Sequence, residues 1–254
     1  CLFSFHFISL LFGPKKTIFV ALTTFLLMKQ QKVAIIVAGG KGERMKASVP
    51  KQFIPLGDKP VLMHTLERFY RYSDGIRLIL VLPSTQFDVW NELCMTYNFN
   101  IPHTVVPGGI ARFFSVKNAL NIITEDALIA IHDGVRPFID AGTIQRCFDE
   151  AEKSGAAIPV VDLVDSIRQV DWSGSRTVDR KNFRLVQTPQ VFRSDIILKS
   201  YQQPYSEQFT DDASVAEAAG YKINLVEGNR ENIKITTTFD LKLAEFLLSG
   251  DKND

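Results

Sequence analysis

The sequence predicts an α/β fold: a mostly parallel sheet flanked by helices, with a β-hairpin arm inserted late in the chain. Three observations predict it. Short runs rich in Val, Ile and Leu alternate with segments whose apolar residues recur at helical spacing. Three glycines (Gly39, Gly40, Gly42) follow the first apolar run almost at once, where an open α/β sheet places its ligand loop. The alternation then fails between positions 162 and 187, where short alternating stretches flank a turn.

The chain has 254 residues, 46% of them hydrophobic, with a net charge of +1. That length fits one or two domains with a large core. The charge gives no global attraction to nucleic acid or to an anionic membrane, so an anion site has to be local. The three cysteines lie far apart and form no CxxC or Cys/His metal pattern, which reads as a reducing, cytoplasmic setting. Stretches 2–12 and 18–28 are largely apolar, but each is shorter than the roughly 18 residues of a membrane span. No A-x-A-like cleavage site follows the second. Met28 therefore reads as the start of a domain covering 28–250, and residues 1–27 as an upstream extension. A membrane anchor or a signal peptide are the rival readings of 1–27.

Taken in order, residues 33–37 read as a buried strand and the glycines as the turn after it. A turn at 57–60 leads into a helix with Pro60 in its first turn and Leu62, Leu66 and Phe69 on one face. Residues 76–82 form a second strand, and Phe87, Trp90 and Leu93 mark the next helix. A short strand at 104–106 ends in Pro107-Gly108-Gly109, and Phe113, Val116, Leu120 and Ile123 mark the helix behind it. Strands at 127–131 and 156–161 flank a helix at about 142–153. The arm, about 162–187, turns at Asp171-Trp172-Ser173-Gly174. An isolated hairpin is marginal in water, so the arm needs something to pack on. Helices at 194–201 and 212–219, strands at 223–226 and 233–236, and a last helix opened by Thr237-x-x-Asp240 complete the chain.

The glycine loop offers bare N–H groups to an anion. It lacks the G-K-[ST] end of a P-loop and the GxGxxG spacing, and no acid ends the second strand to hold a ribose. On glycines alone, a plain strand-to-helix turn reads equally well. Arg44 and the group Pro50-Lys51-Gln52 favour a triphosphate loop, because they bring cations near it. Asp133 follows a buried strand and reads either as a turn cap or as a ligand contact. The four histidines read as structural, and no Ser–His–Asp arrangement is present. Asp211-Asp212 reads as a pair favouring a helix N-terminus rather than as metal ligands.

A-G-G-x-G-x-R-M followed by P-K-Q is similar to the signature of nucleotidyltransferases that make sugar and polyol nucleotides. From Met28 to about Leu248 the chain resembles one branch, the methylerythritol-phosphate cytidylyltransferase family of the non-mevalonate isoprenoid pathway. The supporting segments are Gly108-Gly109-x-x-Arg112-x-x-Ser115-Val116, His132-Asp133-Gly134-Val135-Arg136-Pro137, Thr177-Val178-Asp179-Arg180, Thr188-Pro189-Gln190, Thr210-Asp211-Asp212-Ala213-Ser214 and Asn232-Ile233-Lys234-Ile235-Thr236. Phe113-Phe114 departs from the smaller or polar residues common in the family, which puts helix packing in question.

The resemblance implies a Rossmann-like nucleotidyltransferase sheet and attack by a polyol phosphate on the α-phosphate of CTP. It implies that Arg44 and Lys51 stabilise the transition state, and that Arg180 and Lys234 position the incoming phosphate. Ala38, Gly39, Gly109 and Ser115 would surround the base and ribose, with Gly40 and Gly42 against the triphosphate. Asp133 would bind substrate hydroxyls with Arg136 in support, and Thr188 and Thr210 would hydrogen-bond substrate oxygens. Mg2+ would be bound mainly through the CTP phosphates. The arm would cross to a second subunit of a homodimer, without nucleic acid or membrane as partners. A ribitol-5-phosphate cytidylyltransferase is the nearest rival, and Thr177-Val178-Asp179-Arg180 ahead of Thr188-Pro189-Gln190 favours the isoprenoid branch. A non-catalytic homologue would have lost Arg44, Lys51 or Lys234, and all three are present.

Overall fold

The first strand, β1 (Gln31–Val37), shows why its sequence is a continuous apolar run. Val33 and Ile35 point into one core cluster and Ala34 and Ile36 into another, all fully buried. A strand covered on both faces loses the polar half of the usual alternation. Burying one such Ile stabilises the fold by about 1.5–3 kcal/mol. This is a computed structural model, and it describes residues 30–39 and 49–250. Gly40, Gly42 and Arg44 lie outside the described residues, as does the whole of the 1–27 extension.

A one-turn 3-10 helix, Lys51–Phe53, precedes the small ribbon of β2 (Pro55–Leu56) and β3 (Lys59–Pro60). Helix α1 (Val61–Tyr72) follows, with Pro60 at its N-cap, just ahead of the first turn where the sequence placed it. β4 (Arg77–Leu82), α2 (Phe87–Thr96), β5 (Thr104–Pro107) and α3 (Arg112–Leu120) continue the alternation. β6 (Ala127–Asp133) is buried at every position. α4 (Ala141–Ser154) starts where the Asp140 side chain accepts from the Thr143 N–H, and stops at Gly155, whose φ of 94° suits a residue without Cβ. β7 (Ala156–Asp162) completes this half.

The arm is a separate two-stranded sheet of β8 (Arg168–Asp171) and β9 (Gly174–Thr177), exposed at every position. The chain then returns as β10 (Arg184–Val186) and β11 (Gln190–Arg193), which the sequence did not predict. Both run antiparallel to β7, β11 lying between β7 and β6. They form one strand line interrupted at 187–189, where the Thr188–Pro189 bond is cis. Ala157 pairs with Val191 on one side and Asn224 on the other, so β12 (Asn224–Glu227) takes the opposite edge of β7. The sheet runs β12-β7-β11-β6-β1-β4-β5, with β10 pairing β7 further along the line of β11. β1, β4 and β5 are parallel, and β6 and β7 share one direction because both oppose β11. The sheet is therefore mostly parallel, with one antiparallel intruder.

Short helices α5 (Ser194–Ser200) and α6 (Asp212–Ala218) cover one face, with α3. The predicted strand at 233–236 does not form: the Ile235 N–H bonds only the Val135 carbonyl, and the Ile233 N–H turns back to Glu231. The apolar alternation there reflects Ile235 buried in a third cluster with Leu56, Val61 and Phe138. α7 (Thr238–Gly250) covers that cluster, and Thr237 and Asp240 exchange the reciprocal cap bonds that its sequence predicted. No helix among the described residues is long and apolar enough to cross a membrane.

Candidate active site

The strand ends of β1, β4, β5 and β6 open on a cavity of about 660 Å³, lined by Ala38, Gly39, Lys51, Gly109 and Ser115 among others. A second cavity of about 230 Å³ lies between Arg136, Thr188 and Thr210. The two share three residues, Arg112, Asp133 and Lys234. Residues from eight separate sequence segments thus meet at one edge of the sheet, as the strand alternation requires.

The floor of the larger cavity is fixed by backbone bonds between neighbouring strand ends. The Ala38 N–H donates to the Val81 carbonyl at 2.9 Å, and the Gly134 N–H donates to the Val37 carbonyl at 2.9 Å. Gln52, fully buried, donates through Nε2 to the Ala38 carbonyl at 2.9 Å and to Gln86 Oε1 at 2.7 Å. It ties the start of the glycine loop to the turn after β4. Ser115 Oγ accepts from the Gly109 N–H at 3.0 Å and donates to the Ala111 carbonyl at 3.1 Å. A Cβ at Gly109 would lie 2.3 Å from the Cβ of Phe114, so this loop can pass Phe114 only as glycine. The two phenylalanines that depart from the family pattern are accommodated: Phe113 stacks on Tyr201 at 4.7 Å and on Phe209 at 5.7 Å.

Asp133, at the end of β6, organises the junction. Its Oδ2 accepts from Arg136 Nε at 3.1 Å and from Lys234 Nζ at 3.0 Å, and its Oδ1 lies 4.0 Å from Arg112 Nε. Burial alone would raise its pKa, but Lys234, Arg112 and Arg136 outweigh it and hold the carboxyl well below the usual range. Asp133 is an ionised acceptor. Arg112 is itself held by Asp212, which is fully buried, through bonds of 2.8 and 2.7 Å, and Tyr201 donates to the same carboxylate at 2.6 Å. Burial disfavours the Arg112 charge, and Asp212 more than restores it. Asp211, beside it, caps α6 with Ser214 and accepts from Gln190 at 2.8 Å. The acidic pair is therefore engaged in capping and ion pairing.

The structure brings together Ala38, Gly39, Lys51, Gly109, Ser115, Asp133, Arg136, Thr188, Thr210 and Lys234 around the two cavities. Arg180 is apart from them: it sits on the 3-10 turn Arg180–Asn182 after the arm, and its guanidinium donates to the Val164 carbonyl. Three contributors had no role in the sequence reading. Gln52 stands in Pro50-Lys51-Gln52 and Arg112 in Gly108-Gly109-x-x-Arg112, and that spacing is the available signal. His132 was read as structural, and it touches Thr188.

A family model for 2-C-methyl-D-erythritol 4-phosphate cytidylyltransferase matches residues 32–250. A cytidylyltransferase of that name from Bacteroides fragilis is 54% identical over 217 residues, covering 85% of this chain and 99% of that one. One from Porphyromonas gingivalis is 50% identical over 224 residues, covering 88% of this chain and all of that one. The crystal structure of 4-diphosphocytidyl-2C-methyl-D-erythritol synthase from Anaerococcus prevotii superposes with a TM-score of 0.74 at 27% identity, over 87% of this chain and 96% of that one. The Francisella tularensis cytidylyltransferase structure gives 0.71 at 31% identity, over 85% and 99%. With a family match over nearly the whole described chain and relatives half identical end to end, this chain belongs to the 2-C-methyl-D-erythritol 4-phosphate cytidylyltransferase family.

Proposed function

We propose that the two cavities divide the family's reaction between them, the larger taking CTP and the smaller taking 2-C-methyl-D-erythritol 4-phosphate. The chain is a CTP-dependent cytidylyltransferase: an oxygen of the polyol phosphate attacks the α-phosphate of CTP, pyrophosphate leaves, and 4-diphosphocytidyl-2-C-methylerythritol forms. The observation that carries the assignment of cavities is their shared wall of Arg112, Asp133 and Lys234. An attacking phosphate in one cavity and a target phosphate in the other would meet at that wall.

Attacker and target are both anions, so the junction must offset their repulsion. Arg112, Arg136 and Lys234 face two carboxylates, Asp133 and Asp212, which leaves the cluster one net positive charge. Lys51 adds its charge on the CTP side, and Arg44 is assigned there with it. Fixed cations aimed where charge builds are the main means of catalysis for phosphoryl-type transfer. Asp133 keeps Lys234 oriented and accepts from substrate hydroxyls, with Arg136 bracing it against the Asn232 carbonyl at 2.7 Å. Ala38, Gly39, Gly109 and Ser115 shape the base and ribose pocket, and Gly40 and Gly42 are assigned to the phosphates by their place in the motif. Thr188 and Thr210 hold the polyol.

Mg2+ enters this reading as a companion of the nucleotide. Among the described residues no group of three or more His, Cys, Asp and Glu could hold a metal, and Asp133 is already engaged by cations. An ion carried by the triphosphate would neutralise part of its charge. The arm reaches over a second copy of the chain, and Arg180 serves the partner's acceptor subsite. Exposed Val164, Val170 and Trp172 on the arm favour such a homodimer. A reducing cytoplasm suits Cys94 and Cys147, both of them free thiols.

The deciding experiment supplies CTP and Mg2+ with each polyol phosphate and follows pyrophosphate. Release is expected with methylerythritol phosphate, and faster turnover with ribitol 5-phosphate would overturn the choice of acceptor.

A further inference from the structure

Thr188 lies where the line of β10 and β11 is interrupted, and its hydroxyl is gripped from the protein side by two groups. The Asp133 N–H donates to Oγ1 at 3.1 Å, and Oγ1 lies 3.0 Å from Nδ1 of His132. His132 is fully buried, its ring set edge-on to Phe69 at 4.9 Å. The other ring nitrogen, Nε2, faces the Arg136 carbonyl at 3.1 Å. A carbonyl only accepts, so Nε2 carries the proton. Burial pushes the ring pKa down to about 4, which keeps the ring neutral near pH 7 and leaves Nδ1 with a lone pair. The Thr188 hydroxyl must therefore donate inward, to Nδ1. A hydroxyl has one proton and two acceptor positions. The proton goes to His132, one acceptor position goes to the Asp133 N–H, and the other remains for the smaller cavity, which Thr188 lines.

We propose that His132 is a positioning residue that sets the polarity of Thr188: towards the smaller cavity the Thr188 oxygen can only accept, so it reads a hydroxyl of the acceptor substrate and not its phosphate. The proposal rests on the reading of that cavity as the polyol-phosphate subsite. A phosphate near neutral pH is mostly deprotonated and offers lone pairs, which a lone pair on Thr188 repels. The phosphate is thereby turned away from Thr188 and towards Lys234 at the shared wall, while a hydroxyl is anchored at the far side. A neutral histidine at the end of β6 would thus orient the substrate for attack without touching it.

The test uses the full chain, CTP, and acceptors in which each polyol hydroxyl in turn is replaced by hydrogen or by fluorine. Fluorine accepts weakly and has no proton to donate. At the hydroxyl read by Thr188, both replacements should raise KM about tenfold, the size of one hydrogen bond, with fluorine no better than hydrogen. Thr188→Val should raise KM for the parent acceptor by the same factor and abolish the difference between parent and analogues. His132→Phe frees the Thr188 proton to point outward, so the fluoro analogue should then bind better than the deoxy analogue. Nitrogen NMR of His132 in the unaltered protein should find Nδ1 unprotonated and Nε2 protonated, and this readout stands even where His132→Phe does not fold. A protonated Nδ1 overturns the proposal. So does Thr188→Val with KM unchanged while Thr210→Ala and Lys234→Ala raise it. If all three variants leave the acceptor KM unchanged, the subsite reading itself fails and this proposal falls with it.

Discussion

At the junction of the two cavities the charged groups are held by opposite charges within the chain, whereas the arm of β8 and β9 satisfies its polar groups by local contacts. Asp133 lies between Lys234 and Arg136, and Arg112 is clasped by the buried Asp212. On the arm, Arg168 bonds Ser175 and Thr177 across the hairpin, Asp171 bonds Ser173, and Trp172 is 99% exposed. The difference teaches which parts of the chemistry one chain can preorganise alone. The junction compensates its charges within one chain. The arm holds its own shape but leaves β8 and β9 exposed at every position, which is what a role against a second copy of the chain would require.

Breaking the junction should cost far more than breaking the arm. Asp212→Ala leaves the Arg112 guanidinium without its carboxylate in a largely closed site. The loss should be about 3 kcal/mol, the low end for a broken buried pair because Arg112 keeps part of its exposure. Denaturant midpoints read it directly, and Asp171→Ala on the arm should leave the midpoint where it was. Equal shifts from the two would dissolve the contrast. Lys51→Ala tests chemistry rather than packing. Pyrophosphate release should slow about a hundred- to thousandfold, as when one oxyanion donor is removed, with the thermal midpoint unmoved. Activity close to that of the unaltered protein would remove Lys51 from the transition state.

The same contrast decides what could be read from the sequence. β1, β4 and β6 were legible because burial on both faces writes itself as an unbroken apolar run. β10 and β11 were not, because Thr188-Pro189 breaks their line and neither half is long enough to signal a strand. Residues 233–236 misled in the opposite sense: Ile235 is buried beneath α7 without pairing to a strand. The cavity residues were legible through motif resemblance, and the structure collects ten of them around two adjoining cavities. Their supports were not. Arg112 and Asp212 are 100 residues apart, and nothing local tells an arginine paired with a buried acid from one in solvent. The polarity of Thr188 depends on which nitrogen of His132 faces a carbonyl, a fact of folding alone.

Mixing two impaired proteins tests whether the arm works against a partner. Lys51→Ala retains Arg180, and Arg180→Ala retains Lys51. If Arg180 is lent across a dimer, mixed dimers contain one intact site, and the mixture should recover activity that neither variant has alone. No recovery would place Arg180 in its own subunit's chemistry. Trp172→Ser should shift the assembly towards monomer in sedimentation, by about 2 kcal/mol of association energy if this tryptophan anchors the interface. The folding stability of the separated chain should not change.

The smallest effect, and the one that tests the buried ring most directly, is the pH dependence of stability. In the unfolded chain His132 titrates near its ordinary 6.5, and in the folded chain burial holds it near 4. Between these values the unfolded state binds a proton that the folded state refuses. Stability is therefore full above pH 6.5 and is lost progressively as pH falls towards 4. His64, whose pKa is also lowered by burial, adds to the same slope. Asp133 acts at lower pH: its carboxyl stays ionised in the folded state well below the ordinary 3.8, so its contribution persists through pH 4 and fades beneath that. Denaturant midpoints measured from pH 7.5 to 3 should fall in two stages. In His132→Phe the first stage should shrink to the share of His64, while the second remains. A midpoint that stays level from 6.5 to 4 in the unaltered protein would mean that the folded ring takes its proton freely, and the fixed inward bond of Thr188 would go with it.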